Sequence, residues 1–232
     1  MADASALLFG SIGTLAETSE LQRRSFNRAF ADAGLDWVWD RTSYLRLLRK
    51  PGGVARIAAY AADSGDEVDA SALHSAKVRH FAELIDREGL CPRPGVVEML
   101  RSARSRGMRT ALCTTTIPDQ VDAVLDGLAN RLSVDLFDWI GDATRCARRK
   151  PAPDIYNAAL GRLDVAPERV LTIEDTPESG AAALAVGCRL LAFPGEAAAQ
   201  RDFQPGVLVV DRLQPRLLDM LAPETVAASA AA

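Results

Sequence analysis

Four short stretches of this chain hold residue types that can bind a phosphoryl group or act on one. The first, Leu7-Leu8-Phe9-Gly10-Ser11-Ile12-Gly13-Thr14-Leu15, is an apolar run that reaches a Gly-Thr turn signal. The second is the threonine triplet Thr114, Thr115 and Thr116, the third is Lys150 in Lys150-Pro151-Ala152-Pro153-Asp154, and the fourth is the acidic pair Glu174-Asp175. A threonine hydroxyl hydrogen-bonds phosphate oxygens, and a lysine ammonium supplies a point charge. Two adjacent carboxylates can hold Mg²⁺, which takes oxygen ligands and keeps several waters. Each also has a plainer use. A strand-end threonine closes a turn, a Lys-Pro pair sits in a solvated loop, and an acidic pair caps the helix that follows. Their occurrence together and in this order favours one shared site on one sheet edge. At the tip of the first stretch, however, Gly10 has no side chain and Ile12 is aliphatic.

The elements that must position these residues come in two textures. Residues 17–33 read as an amphipathic helix with Leu21, Phe26 and Phe30 inward and Arg23, Arg24 and Arg28 outward, ended by Gly34. Residues 37–48, 54–62 and 70–88 give three more helices, and Lys50-Pro51-Gly52-Gly53 reads as a mobile loop. Nothing between residues 17 and 88 reads as a strand. After Cys91-Pro92-Arg93-Pro94-Gly95 the pattern alternates. Strands are expected at 109–114, 137–140, 170–173, 189–193 and 207–210, with helices at 96–106, 119–128, 155–163 and 176–185. The tail, residues 227–232, is low in complexity and expected to fray. The expected fold class is α/β, a Rossmann-like doubly wound parallel sheet with an inserted all-helical cap. Residues 1–16 and 93–232 form the core and residues 17–92 the cap.

Composition narrows the setting. The 232 residues are 48% hydrophobic and 25% charged with a net charge of −4, which favours neither nucleic acid nor an anionic membrane surface. The four cysteines lie far apart with no Cys-x-x-Cys pair, so reduced thiols in a cytoplasmic protein are expected. No apolar run approaches the roughly 20 residues of a membrane span.

Leu15-Ala16-Glu17-Thr18, Trp39-Asp40-Arg41, Lys150-Pro151-Ala152-Pro153-Asp154-Ile155-Tyr156 and Ile173-Glu174-Asp175-Thr176 give nearly the whole chain a resemblance. It resembles the haloacid dehalogenase superfamily, in the helical-cap branch that includes phosphoglycolate phosphatases and β-phosphoglucomutases, and is most similar to the CbbY-like xylulose-bisphosphate phosphatases. In that superfamily the first strand ends Asp-x-Asp-Gly-Thr. The first Asp attacks phosphorus and ligates Mg²⁺, and the second is general acid and base. The resemblance puts Gly10 at the nucleophile and Ile12 at the acid/base, while Gly13, Thr14 and Leu15 conform. It implies phosphate binding by Thr114, Thr115 and Lys150, and metal binding by Asp175 with Glu174 beside it. On the cap it implies substrate contacts from Glu17, Gln22, Tyr44, Gly52, Gly53 and Arg56. Gln22 stands where the family often has His, and Val54 follows the glycine pair where close relatives carry Lys.

These departures set the functional expectations. Gly10 cannot be a nucleophile, and Ile12 can neither give nor take a proton. Ser11 is no expected substitute, because in an extended strand its side chain points away from the face of residues 10 and 12. Mg²⁺, having lost one anionic ligand, is expected to bind weakly or not at all. Lys150 is expected to turn towards Glu174 and Asp175. The expected function is therefore a phosphatase-like fold without phosphoaspartate catalysis that binds a small phosphorylated metabolite or a partner, as a monomer. The alternative is a weak Mg²⁺-dependent phosphatase in which metal on Asp175 activates water directly.

Overall fold

A computed structural model describes residues 5–49 and 52–221. A six-stranded, all-parallel sheet forms its centre: β1 (Ala6–Phe9), β2 (Arg109–Cys113), β3 (Trp139–Gly141), β4 (Val170–Glu174), β5 (Arg189–Ala192) and β6 (Leu208–Val209), in the order β3-β2-β1-β4-β5-β6. Parallel strands are covered on both faces, and β1, β2 and β4 read accordingly as apolar runs. Along β1, Leu7 and Phe9 join one core cluster while Ala6 and Leu8 join the other. The first cluster lies under α6 (Val96–Ser105) and α7 (Pro118–Leu128), and the second under α8 (Asp154–Leu163) and α9 (Pro177–Leu184).

Between β1 and α6 the chain is helical: α1 (Ile12–Leu15), α2 (Ser19–Asp32), α3 (Arg41–Leu47), α4 (Gly53–Ser64) and α5 (Ala70–Glu88). The last four enclose an aromatic cluster of Phe26, Phe30, Trp37, Trp39 and Tyr44, with Ile57, Ala61 and Leu73. The expected helix at 37–48 begins only at Arg41. Asp40 caps it by accepting from the Ser43 amide at 2.9 Å, while the Trp39 amide is taken by the Asn27 side chain. Lys50 and Pro51 of the expected mobile loop, and the tail at 227–232, lie outside the described residues.

Two features aim the helical insert at the strand tips. The Arg93 amide donates to Leu15 O at 2.8 Å, pinning the returning chain beside the departing one. The Arg93 guanidinium, 3.5 Å over the Phe193 ring, donates to the carbonyls of Gly13, Phe193 and Pro194. The order of strands reverses at β1, with β2 on one side and β4 on the other, and ligand crevices form at such a switch point.

Candidate functional site

The site starts from strand register. Phe9 pairs with Ile173, and Gly10 N donates to Ile173 O at 2.9 Å, so the tip of β1 lies beside Glu174. Glu174 is fully buried and turned into the space above Gly10. There Oε1 accepts from Lys150 Nζ at 2.6 Å and from the Tyr156 hydroxyl. Lys150 Nζ also reaches Gly10 O, Cys113 O at 2.8 Å and Tyr156 Oη at 3.1 Å. A Cβ placed on Gly10 would come closer than 3.0 Å to the Glu174 carboxyl and the Tyr156 hydroxyl. Burial raises the Glu174 pKa to about 7 despite the Lys150 ammonium, and raises Tyr156 well above its ordinary value.

Asp175 points elsewhere. Its Oδ1 accepts from Ser11 Oγ at 2.9 Å, and Oδ2 packs against Gly13, where a Cβ would not fit. Burial raises the Asp175 pKa, opposed by the Ser11 hydrogen bond and by the charges of Lys150 and Arg93. Ser11 lies with Asp175 and not on the Glu174 side that Gly10 faces, and it caps α1, accepting from the Thr14 amide. Lys150 thus pairs with Glu174 alone of the two expected carboxylates.

Above this buried layer a cleft of about 640 Å³ separates the helical insert from the sheet edge. On the insert side Gln22, Tyr44, Gly52, Gly53, Arg56, His74 and Lys77 line it; on the core side Thr115, Thr116, Gln120, Arg149 and Lys150 do. Arg56, Lys77 and Arg149 bring positive charge, Lys150 being paired with Glu174, and no Asp or Glu is among the described residues that line it. Lys77 is 1% exposed, hydrogen-bonds Gln22 Oε1, and lies over the Phe26 and Phe81 rings at 5.1 and 4.7 Å. Burial, then the charge of Arg56, lowers its pKa to about 7. Burial likewise lowers His74 to about 4, helped by Lys77, Arg56 and Arg149, so its imidazole is neutral.

The haloacid dehalogenase-like hydrolase family profile matches residues 5–187. The chain is 39% identical over 193 residues to the protein CbbY of Cereibacter sphaeroides, covering 82% of this chain and 84% of that one. It is 37% identical to CbbY of Rhodobacter capsulatus, covering 85% and 88%. The chain belongs to the haloacid dehalogenase-like hydrolase family. A crystal structure of CbbY from Rhodobacter sphaeroides in complex with phosphate superimposes with a TM-score of 0.81 at 35% identity, covering 90% of this chain and 94% of that one. A variant of that CbbY in complex with xylulose-(1,5)bisphosphate gives 0.80 at 36% identity, with the same coverage.

Haloacid dehalogenase-like enzymes generally use Mg²⁺, so the donors here were tested against that ion. Gly10 contributes no carboxylate, and both Lys150 and Tyr156 hold the Glu174 carboxylate. Ile12 O accepts the Ala16 amide at 3.0 Å, and Asp175 holds Ser11. As arranged, these donors do not make a Mg²⁺ site, which needs several converging oxygens.

The candidate residues therefore divide. Gln22, Tyr44, Gly52, Gly53, Arg56, Thr115 and Lys150 line the cleft, whereas Gly10, Ile12, Thr114, Glu174 and Asp175 do not. Thr114 spends its hydroxyl on Thr116 Oγ1 at 2.9 Å, and Ile12 packs into the core at 7% exposure. Glu17, expected at the substrate, instead accepts from Ser19 and from the Glu196 amide at 2.8 Å, because its carboxylate caps the turn entering α2. Sequence reasoning missed Tyr156, Lys77, Gln120 and Arg149. Lys77 left a signal: it sits with Leu73, Phe81 and Leu84 on the buried stripe of α5, at helical spacing.

Proposed function

We propose that this chain binds a small phosphorylated sugar or acid between the helical cap, residues 17–92, and the core, and does not turn it over through a phosphoaspartate. The observation that carries the reading is the filled place above Gly10. A buried carboxyl from the neighbouring strand, held by Lys150 and Tyr156, occupies the room in which a residue-10 side chain would act. The cation-lined cleft above it supports an anionic ligand. CbbY of Rhodobacter sphaeroides, the relative crystallised with phosphate and with xylulose-(1,5)bisphosphate, makes a sugar bisphosphate the first ligand to try. We take Arg56 and Lys77 as cap-side contacts to its charge, with Gln22 orienting the Lys77 ammonium. Mg²⁺ has no role in this reading, because Glu174 is already committed to Lys150.

The four cysteines are free thiols, and no helix among the described residues is long and apolar enough to cross a membrane. Free thiols accord with the reducing compartment that we take for this chain.

Calorimetric titration with xylulose 1,5-bisphosphate, alongside Mg²⁺-dependent assays on that compound and on p-nitrophenyl phosphate, tests the reading. Binding without turnover above a buffer blank is expected. Turnover that disappears in Asp175→Ala would replace it with a weak Mg²⁺-dependent phosphatase.

A further inference from the structure

Lys150, the lysine that should meet a phosphoryl group at the strand tips, has no proton left to offer. Its ammonium carries three, and Gly10 O, Cys113 O, Glu174 Oε1 and Tyr156 Oη already surround it. An anion in the cleft must therefore find its core-side donors elsewhere.

One residue on that wall is short of an acceptor. Gln120, in the first turn of α7, is 8% exposed and lines the cleft, and its Nε2 has no hydrogen-bond partner. A buried amide donor is ordinarily satisfied, and an orphan one on a residue that lines a cavity gains an acceptor when its side chain turns to a ligand there. The neighbouring groups are donors too. Arg149 lines the same cleft, is exposed, and makes no ion pair among the described residues. Thr116 Oγ1 accepts from Thr114, which leaves its own hydroxyl proton free to donate. A wall of N–H and O–H groups with no facing carboxylate selects an oxyanion.

We propose that Gln120 and Arg149, with the Thr116 hydroxyl, form the core-side anchor for a phosphate or carboxylate group of the ligand, in place of Lys150. This rests on the binding function proposed above and adds where the ligand is held. The ligand then spans the cleft, one charged end on Gln120 and Arg149 and the other facing Arg56 and Lys77. That geometry selects molecules with two separated anionic groups, such as a sugar bisphosphate or a phosphorylated acid, over those with one.

The test is calorimetric titration of the full chain with xylulose 1,5-bisphosphate at several salt concentrations. Gln120→Leu removes the amide and Gln120→Glu keeps its shape while adding a charge. Arg149→Met is solvent-exposed and keeps the experiment decisive should the buried position fold poorly. About tenfold weaker binding is expected in Gln120→Leu and Arg149→Met, and a larger loss in Gln120→Glu. The fall in affinity with salt should also be shallower in Arg149→Met, a change that a merely structural role would not produce. Affinities within twofold of the parent chain in all three variants overturn the anchor and leave the binding function standing. No binding by the parent chain overturns both.

Discussion

Replacing Gly10 by alanine should be among the most damaging single changes in this chain, although it adds one methyl group. Gly10 is not among the glycines with positive φ, so backbone strain is not the cause. The cause is room: the new Cβ would lie closer than 3.0 Å to the Glu174 carboxyl and the Tyr156 hydroxyl, both fully buried. To admit it, Glu174 must leave Lys150, whose side chain is 6% exposed. Separating a buried ion pair costs about 3–5 kcal/mol, above the ~1–3 kcal/mol of ordinary overpacking. At about 2–4 °C per kcal/mol for a chain of this length, Gly10→Ala should melt about 10 °C below the parent. The mechanism has a sharper signature in a swap. In Gly10→Asp with Glu174→Ala, the new carboxylate enters the space the old one leaves and remains beside Lys150. Each single change should be strongly destabilising and the pair much less so, with a coupling of about 2–3 kcal/mol. Urea unfolding followed by circular dichroism measures all four corners of the cycle. Gly10→Ala within about 1 kcal/mol of the parent, or additive effects in the swap, would refute the argument.

Other consequences follow from the same geometry. Lys77 is held near a pKa of about 7 against an ordinary 10.5, so between those values the unfolded chain binds more protons and stability rises with pH. Lys77→Met should flatten that rise in urea titrations, and in the parent the affinity for xylulose 1,5-bisphosphate should fall from pH 7 to 9 as the ammonium is lost. Installing the two family carboxylates as Gly10→Asp with Ile12→Asp should give no phosphatase turnover while Glu174 remains. Turnover should appear first when Glu174→Ala is added, and equal rates with and without that third change would count against the blocking role of Glu174. Trp39, fully buried among Phe26, Phe30 and Tyr44, should cost about 3–5 kcal/mol as alanine. Near-UV circular dichroism should show the helical insert losing its aromatic signature before the sheet unfolds.

Much of the scaffold was legible because local patterns decide it. The apolar runs at Val170–Glu174 and Arg189–Ala192, and the stripe of Ala70–Glu88, form the strands and helix that their periods call for. The site was legible in its inventory and not in its wiring. The roles of Ser11 as the cap of α1 and as the partner of Asp175 were not legible, because the strand ends at Phe9 and the chain turns there into α1. Lys150 was read against two carboxylates, but only register tells which one lies beside Gly10, and pairing Phe9 with Ile173 puts Glu174 there. Lys77 and Gln120 went unread for another reason. Polar letters on an amphipathic helix suggest a solvated face, and only tertiary packing shows one held against aromatic rings and the other set in the wall of the cleft.

On the proposed reading, the wiring also makes the departure at residue 10 hard to undo. A side chain missing from the tip of β1 leaves Lys150 with a buried positive charge and an open volume beside it. The nearest carboxylate on the neighbouring strand, Glu174, fills that volume and neutralises that charge, and Tyr156 completes its hydrogen bonds. On the proposed reading Glu174 is thereby withdrawn from any cation at the strand tips, so the glycine at residue 10 costs both a nucleophile and a metal donor. Putting an aspartate back then places two carboxylates against one ammonium in a dry pocket, an excess negative charge that burial strongly penalises. On the proposed reading, the chain cannot recover phosphoryl transfer by restoring the two aspartates of its family pattern alone. The cleft above Gly10 is still lined by Arg56, Lys77 and Arg149, over a floor in which Lys150 and Glu174 already pair, so on that reading binding survives where turnover does not.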